Sequence, residues 1–267
     1  MHVAQFTVEI TFYSILFVFL LIQIIRLIFY RDLQLFYNLQ LRFHVLSIIF
    51  AIARIIATGL ETSFEKYKLS VFIVKRIAYL SFFTSFTLLL FFWSKIAKGL
   101  QHNDKTPNSI KIPLIVANFV FYLFTIISII IFSTSVADPD YSNSFYQVNS
   151  VIVAAAFFVV SISFMVYGIV LLRKFKKLPD LVLSRKKYMT KAFFLTLFVS
   201  ICFLLKVAMF LYHPISEKDM NSWLFLFLGY FIPELIPAYI QAYGMRPKTQ
   251  KNAKTTEMRL LDETTKN

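Results

Sequence analysis

The sequence predicts an all-α fold, a bundle of seven transmembrane helices with its N-terminus outside or lumenal and its C-terminus cytosolic. Three observations predict it. The chain is 58% hydrophobic with a mean hydropathy of +0.68, more apolar surface than a soluble domain of 267 residues can hide. The apolar residues gather in seven runs of about 20 residues, the length that crosses a hydrocarbon core. The segments between the runs alternate between basic and mixed charge, as the positive-inside rule requires.

The spans are expected at about 8–30, 41–60, 72–94, 112–134, 148–172, 191–212 and 222–243. Together they make one transmembrane domain, 1–243, followed by a polar cytosolic tail, 244–267. All seven must be helices, because a lone strand leaves its backbone groups unsatisfied in lipid. The first begins almost at Met1, has no basic segment before it and no small-x-small cleavage site, and reads as an uncleaved signal-anchor. The second carries Arg54. The third has Lys75 and Arg76 near its outer end, where they are expected at the membrane interface, and Trp93 at the other end. The fourth and fifth carry no Asp, Glu, Lys or Arg, and the sixth carries Lys206 and the single cysteine, Cys202. The seventh holds Glu234 between Pro233 and Pro237 in the stretch "GYFIPELIPAY".

Orientation follows from the loops. Arg31, Lys95, Lys98, Lys105, the linker after the fifth span, Lys191, and Arg246, Lys248, Lys251 and Lys254 all fall on one side, assigned to the cytosol. The opposite side mixes Lys66, Lys68 and Lys218 with Glu61, Glu65, Asp138, Asp140, Glu217 and Asp219. The formal charge of +14 is thus a topology signal, and nucleic acid is not the partner it implies. One cysteine allows no intramolecular disulfide.

Arg54, Lys206 and Glu234 lie well inside their spans, where a charge costs about 2.5–3.5 kcal/mol on insertion scales. The two bases start about 9 Å from the outer end and the acid about 18 Å. Side chains lean toward the N-terminus of their helix. Spans two and six run outward, so their bases lean inward, while span seven runs inward and its acid leans outward. The three form an intramembrane polar network if these helices are neighbours. The competing expectation is that Arg54 and Lys206 snorkel to the headgroups while Glu234 sits protonated beside a neighbour. Pro233 and Pro237 mark a helix kink and free the carbonyls of Gly229 and Pro233. Glu9 and the two tryptophans, Trp93 and Trp223, are read as interfacial.

The linker "RKFKKLPDLVLSRKK" places Arg173, Lys174, Lys176, Lys177, Arg185, Lys186 and Lys187 against only Asp180. It is the expected cytosolic contact, either with a protein partner or with anionic membrane lipids. No catalytic set, cofactor motif or metal spacing occurs: there is no HExxH, Gly-rich phosphate loop or GxSxG, so the chain is read as not an enzyme, with no cofactor and no metal. No 3+3 repeat is visible.

Four stretches, "LSFFTSFTLLLFFWSKI", "YGIVLLRKFKKLP", "CFLLKVA" and "PELIPAYI", occur in an order that resembles the tobamovirus multiplication protein family of plants. Its animal relatives are orphan-receptor-like lysosomal proteins. The resemblance spans roughly 40–248 and touches Thr87, Leu88, Trp93, Tyr167, Gly168, Lys206, Glu234 and Pro237. Lys206 falls where the family tends to carry Arg, Lys95 where an acid is usual, and Pro233 is an added proline. The resemblance implies a seven-helix, N-out, receptor-like protein of vacuolar, lysosomal or plasma membranes, with cytosolic partners such as Arf-like small GTPases. A D/E-R-Y after the third span, an N-P-x-x-Y in the seventh and the outer cysteine pair are all missing, so coupling to a heterotrimeric G protein is not supported. The expected function is that of a receptor or scaffold presenting basic loops. The alternative is a small-solute or ion transporter or channel using Arg54, Lys206 and Glu234.

Overall fold

The computed structural model describes residues 2–29, 34–61, 64–99, 108–135, 139–175, 183–216 and 221–244. Six long helices come first: α1 His2–Phe29, α2 Gln34–Glu61, α3 Phe64–Gly99, α4 Asn108–Ser135, α5 Pro139–Phe175 and α6 Leu183–Ser216. The seventh unit is composite. A single turn, α7 Ser222–Phe225, leads into a π-helical stretch Leu226–Leu235 and then α8 Ile236–Gly244. Seven segments are long and apolar enough to cross a membrane: Ala4–Phe29, Gln40–Glu61, Lys68–Phe91, Leu114–Thr134, Gln147–Val170, Phe193–Tyr212 and Trp223–Tyr243.

Local signals explain several ends. Pro139 opens α5, where its missing N–H would be unpaired in any case. Asn221 caps α7: its Oδ1 accepts from the Trp223 N–H at 2.9 Å and its carbonyl from the Phe225 N–H at 3.0 Å. α3 and α8 end on Gly99 and Gly244.

α3 is the central helix and packs against α2, α4 and α5; α5 packs against α6, and both α1 and α6 reach the seventh unit. In α3 61% of the span is buried, against 17% in α4, which therefore lies at the periphery. Its exposed Ile115, Val116, Phe119, Val120, Leu123 and Ile126 form the face a hydrocarbon solvent would cover. Many phenylalanines turn the other way. Phe82 and Phe86 of α3 contact Phe50, Phe157, Phe164 and Phe203, with ring centroids 4.7 to 6.1 Å apart. Such pairs are worth about 0.5–1.5 kcal/mol beyond area burial.

Polar seams join neighbours where lipid offers no hydrophobic drive. Between α5 and α6, the Ser161 Oγ donates to the Ser200 carbonyl and the Ser200 Oγ to the Ser161 carbonyl, each at 2.9 Å. Two turns along, Gly168 lets the helices close. A Cβ there would meet Thr196 Oγ1 at 2.7 Å. Between α3 and α4, the Asn118 Nδ2 donates to Thr87 Oγ1 at 2.9 Å and to the Leu114 carbonyl at 2.8 Å.

The seventh unit corrects the expected proline kink in detail. In an α-helix the Pro233 ring would collide with the Gly229 carbonyl four residues back. The backbone widens instead: the Ile236 N–H bonds to the Phe231 carbonyl, five residues back. In that register Pro233 withholds its donor from Leu228, not from Gly229. Pro237 falls in the first turn of α8, a position that tolerates proline.

Candidate functional site

Glu234 is the meeting point of four segments. Its Oε1 accepts from Arg54 Nη2 of α2 and from Lys206 Nζ of α6, and its Oε2 accepts from the Tyr13 hydroxyl of α1 at 2.7 Å. Glu234 is 0% exposed, and Arg54 and Lys206 are each 1% exposed. The side chains lean toward one another, those of α2 and α6 opposite to that of the seventh unit, and this closes a gap that depth alone leaves open. Neither base reaches out of the bundle to snorkel.

Aromatic rings build the walls. The Arg54 guanidinium carbon lies 4.5 Å from the Tyr230 centroid and 4.9 Å from that of Tyr79. Lys206 Nζ lies 4.6 Å from the Phe157 centroid and 5.0 Å from that of Tyr79. Cation–π attraction of this kind reaches about 2 kcal/mol when desolvated. It offsets part of the several kcal/mol that each buried ion loses on leaving water.

Two expectations are corrected. Arg76, expected at the outer interface with Lys75, is buried, and its guanidinium carbon lies 4.6 Å from the Phe72 centroid and 5.7 Å from that of Tyr79. It lies eight residues into its candidate span, turned into the bundle beside Tyr79. Lys75 does lie at the periphery, where it pairs with Glu61 of α2 and both remain partly exposed. Glu9, read as interfacial, is also buried, one helical turn from Tyr13 on the same face of α1.

Sequence reasoning missed Tyr13, Tyr79, Tyr230 and Arg76 as members of this site. Spacing carried a signal. Tyr79 follows Arg76 by three residues and Tyr230 precedes Glu234 by four, so each shares a helix face with a charge.

The basic linker is described only in part. Arg173, near the end of α5, is exposed. Lys176 and Lys177 lie outside the described residues, as do the side chains of Lys174, Arg185, Lys186 and Lys187 and that of Trp93. Trp223 stacks on Phe227 with centroids 6.3 Å apart. Among the described residues no three His, Cys, Asp or Glu side chains are grouped to hold a metal.

Chemically, one carboxylate shared by two cations and a phenol is a lock between helices. Its bonds are charge-assisted, and no partner can be withdrawn without stranding another in a dry core.

No curated protein sequence matches the chain, and no solved structure does. The family model of the THH1/TOM1/TOM3 domain, the domain of the tobamovirus multiplication proteins, matches residues 2–260. That range extends the resemblance of the four stretches to all seven spans, and by it this seven-helix membrane chain belongs to the THH1/TOM1/TOM3 family.

Proposed function

We propose that the protein is a receptor-like or scaffold membrane protein, its N-terminus outside or lumenal and its C-terminus cytosolic, that recruits cytosolic partners through its basic loops. The Glu234 junction is the observation that carries this reading. It fastens α1, α2, α6 and the seventh unit at one closed point, with its three charges 0–1% exposed. A lock of this kind suits a bundle that holds or changes shape better than one that conducts a solute. The partner class the family resemblance suggests is an Arf-like small GTPase, and the membrane a vacuolar, lysosomal or plasma membrane.

The contact surface in this reading is the segment 173–187. Its seven basic residues would also attract an anionic leaflet, at about 1 kcal/mol for each Lys or Arg near the surface. The two roles separate experimentally. Leu181, Val182 and Leu183 lie between the basic clusters and add nothing to lipid attraction through charge. Changing all three to Ser with every charge kept should abolish recruitment of cytosolic protein, measured by proximity labelling in native membranes. Recruitment that follows net charge alone, and fades with salt, would reduce the segment to an electrostatic anchor.

The convergence of Arg54, Lys206 and Glu234 also supports transport as a second reading. Solute flux into liposomes holding the purified protein, lost in Lys206→Met, would favour that reading over a receptor.

A further inference from the structure

Three of the helices that meet at Glu234 carry a second polar residue further along the same face. Leu16 and Leu20 lead from Tyr13 to Gln23 along one buried face of α1, in steps of three and four residues. Ala51 and Ser47 lead from Arg54 back to His44 along one buried face of α2, and Ala238 leads from Glu234 to Gln241 in the seventh unit. The three residues thus lie about 10–15 Å from the junction along their helices. The direction is the same for all. Tyr13 and then Phe19 of α1 meet Glu234 and then Tyr239 of the seventh unit, so these two run in parallel. α2 packs against α1 and starts five residues after α1 ends, so it runs back along it. Gln23 and Gln241 therefore lean toward the junction and His44 leans away from it, which draws the three toward one level. It is the lean that brings Arg54 to Glu234.

His44, Gln23 and Gln241 are 0, 2 and 1% exposed, yet both ring nitrogens of His44, Oε1 of Gln23 and Nε2 of Gln241 have no hydrogen-bond partner in the protein. Buried polar groups almost always have one, from the protein or from ordered water. We infer that this layer is a hydration site, in which at least two water molecules join α1, α2 and the seventh unit. The observations set the chemistry. Gln23 offers an acceptor, Gln241 a donor, and an imidazole one of each, so the occupant must both donate and accept. The two nitrogens of His44 point to different sides of the ring, so one molecule cannot serve both. The charges nearest in sequence, Arg26 and Arg42, are exposed, which leaves the occupant neutral. Near-complete burial keeps it small. Ala51 and Ala238 leave room on the junction side, and Ser47, whose Oγ donates to the Phe43 carbonyl at 2.8 Å, keeps lone pairs to accept from water. The inference does not depend on whether the protein is a receptor, a scaffold or a transporter.

The test is hydroxyl-radical footprinting of the purified full-length protein in detergent, read residue by residue by mass spectrometry. Radicals made from a bound water label the side chains it touches, however deeply they are buried. His44 should be labelled several-fold more than Phe50, which is 1% exposed and less than two turns away on α2. After transfer into oxygen-18 water, the label on His44 should carry the heavy isotope. Gln23→Leu and Gln241→Leu should each lower the His44 label several-fold. The comparison of His44 with Phe50 in the wild-type protein stands even if neither variant folds. His44 labelled no more than Phe50 would overturn the inference, and a neutral lipid recovered with the protein in that case would name a lipid alcohol as the occupant instead. Label on His44 that is unchanged in both variants would overturn it too, because water would then reach His44 without the layer.

Discussion

Tyr13 and Glu234 are 221 residues apart in sequence and 2.7 Å apart in space, joined by a phenol hydrogen bond to a buried carboxylate. The bond ties the first helix to the last, and the oxygen it uses is the one the two cations leave free. Tyr13→Phe keeps the ring and its edge-on contact with Phe50 but strands that oxygen. A loss of about 1.5–3 kcal/mol is expected, the worth of a hydrogen bond to a charged group, read as a lower unfolding midpoint in detergent. An unchanged midpoint would remove Tyr13 from the junction.

Glu234→Ala should be the most damaging single change among the acids. It leaves Arg54 and Lys206 buried without their partner, a loss of about 3–5 kcal/mol. Glu61→Ala breaks the partly exposed pair with Lys75 and should cost at most about 1 kcal/mol. Equal yield and equal stability for the two variants would refute the locked-core description.

Much of this arrangement was legible in sequence, and the reason is physical. A charge inside an apolar run is conspicuous, and helix direction fixes its lean, so Arg54, Lys206 and Glu234 could be brought to one level before any coordinates. Arg76 was not legible. Near a span end, an arginine that turns inward and one that turns to the headgroups look alike in hydropathy. Tyr79 and Tyr230 were hidden among 32 phenylalanines and 14 tyrosines, in which one more aromatic carries little information. The wide turn from Leu226 to Leu235 was half legible: Pro233 announced a break, but the choice between a kink and a π-register is made by packing around the proline. The linker could be read from its charges alone, which say where it lies and not what it touches.

Pro233→Ala offers a further check. In an ordinary helix, replacing a proline by alanine gains about 3 kcal/mol of propensity. Here the proline holds the wide turn that aims Glu234 at its partners, and π-register turns are frequent at functional sites. Relaxation to an α-helix should rotate Glu234 away from Arg54 and Lys206, so the substitution should not stabilise the protein. A clear rise in the unfolding midpoint would mean that the π-register is incidental.

Gly168→Ala should push α5 from α6, at a cost of about 1–3 kcal/mol for overpacking. The clash is specific. The new Cβ would meet Thr196 Oγ1 at 2.7 Å but Thr196 Cβ at an ordinary 3.5 Å. The hydroxyl also donates to the Phe193 carbonyl at 2.8 Å, so turning it aside has its own penalty. Thr196→Ala placed in the same chain should therefore recover most of the loss in thermal stability. Failure of that rescue would locate the damage elsewhere.

The reciprocal serine bonds between α5 and α6 have a mechanical consequence. Ser161 and Ser200 grip each other's backbone, not merely each other's side chains, so sliding one helix along the other breaks both bonds at once. The pair thus behaves as one strut. Lys206, fastened to Glu234, lies on that strut less than two turns beyond Ser200. Phe175, the last residue of α5, and Leu183, the first of α6, lie at the other end of that strut. A release of Lys206 that tilted α6 would carry α5 with it, so that the last residue of α5 and the first of α6 would move together.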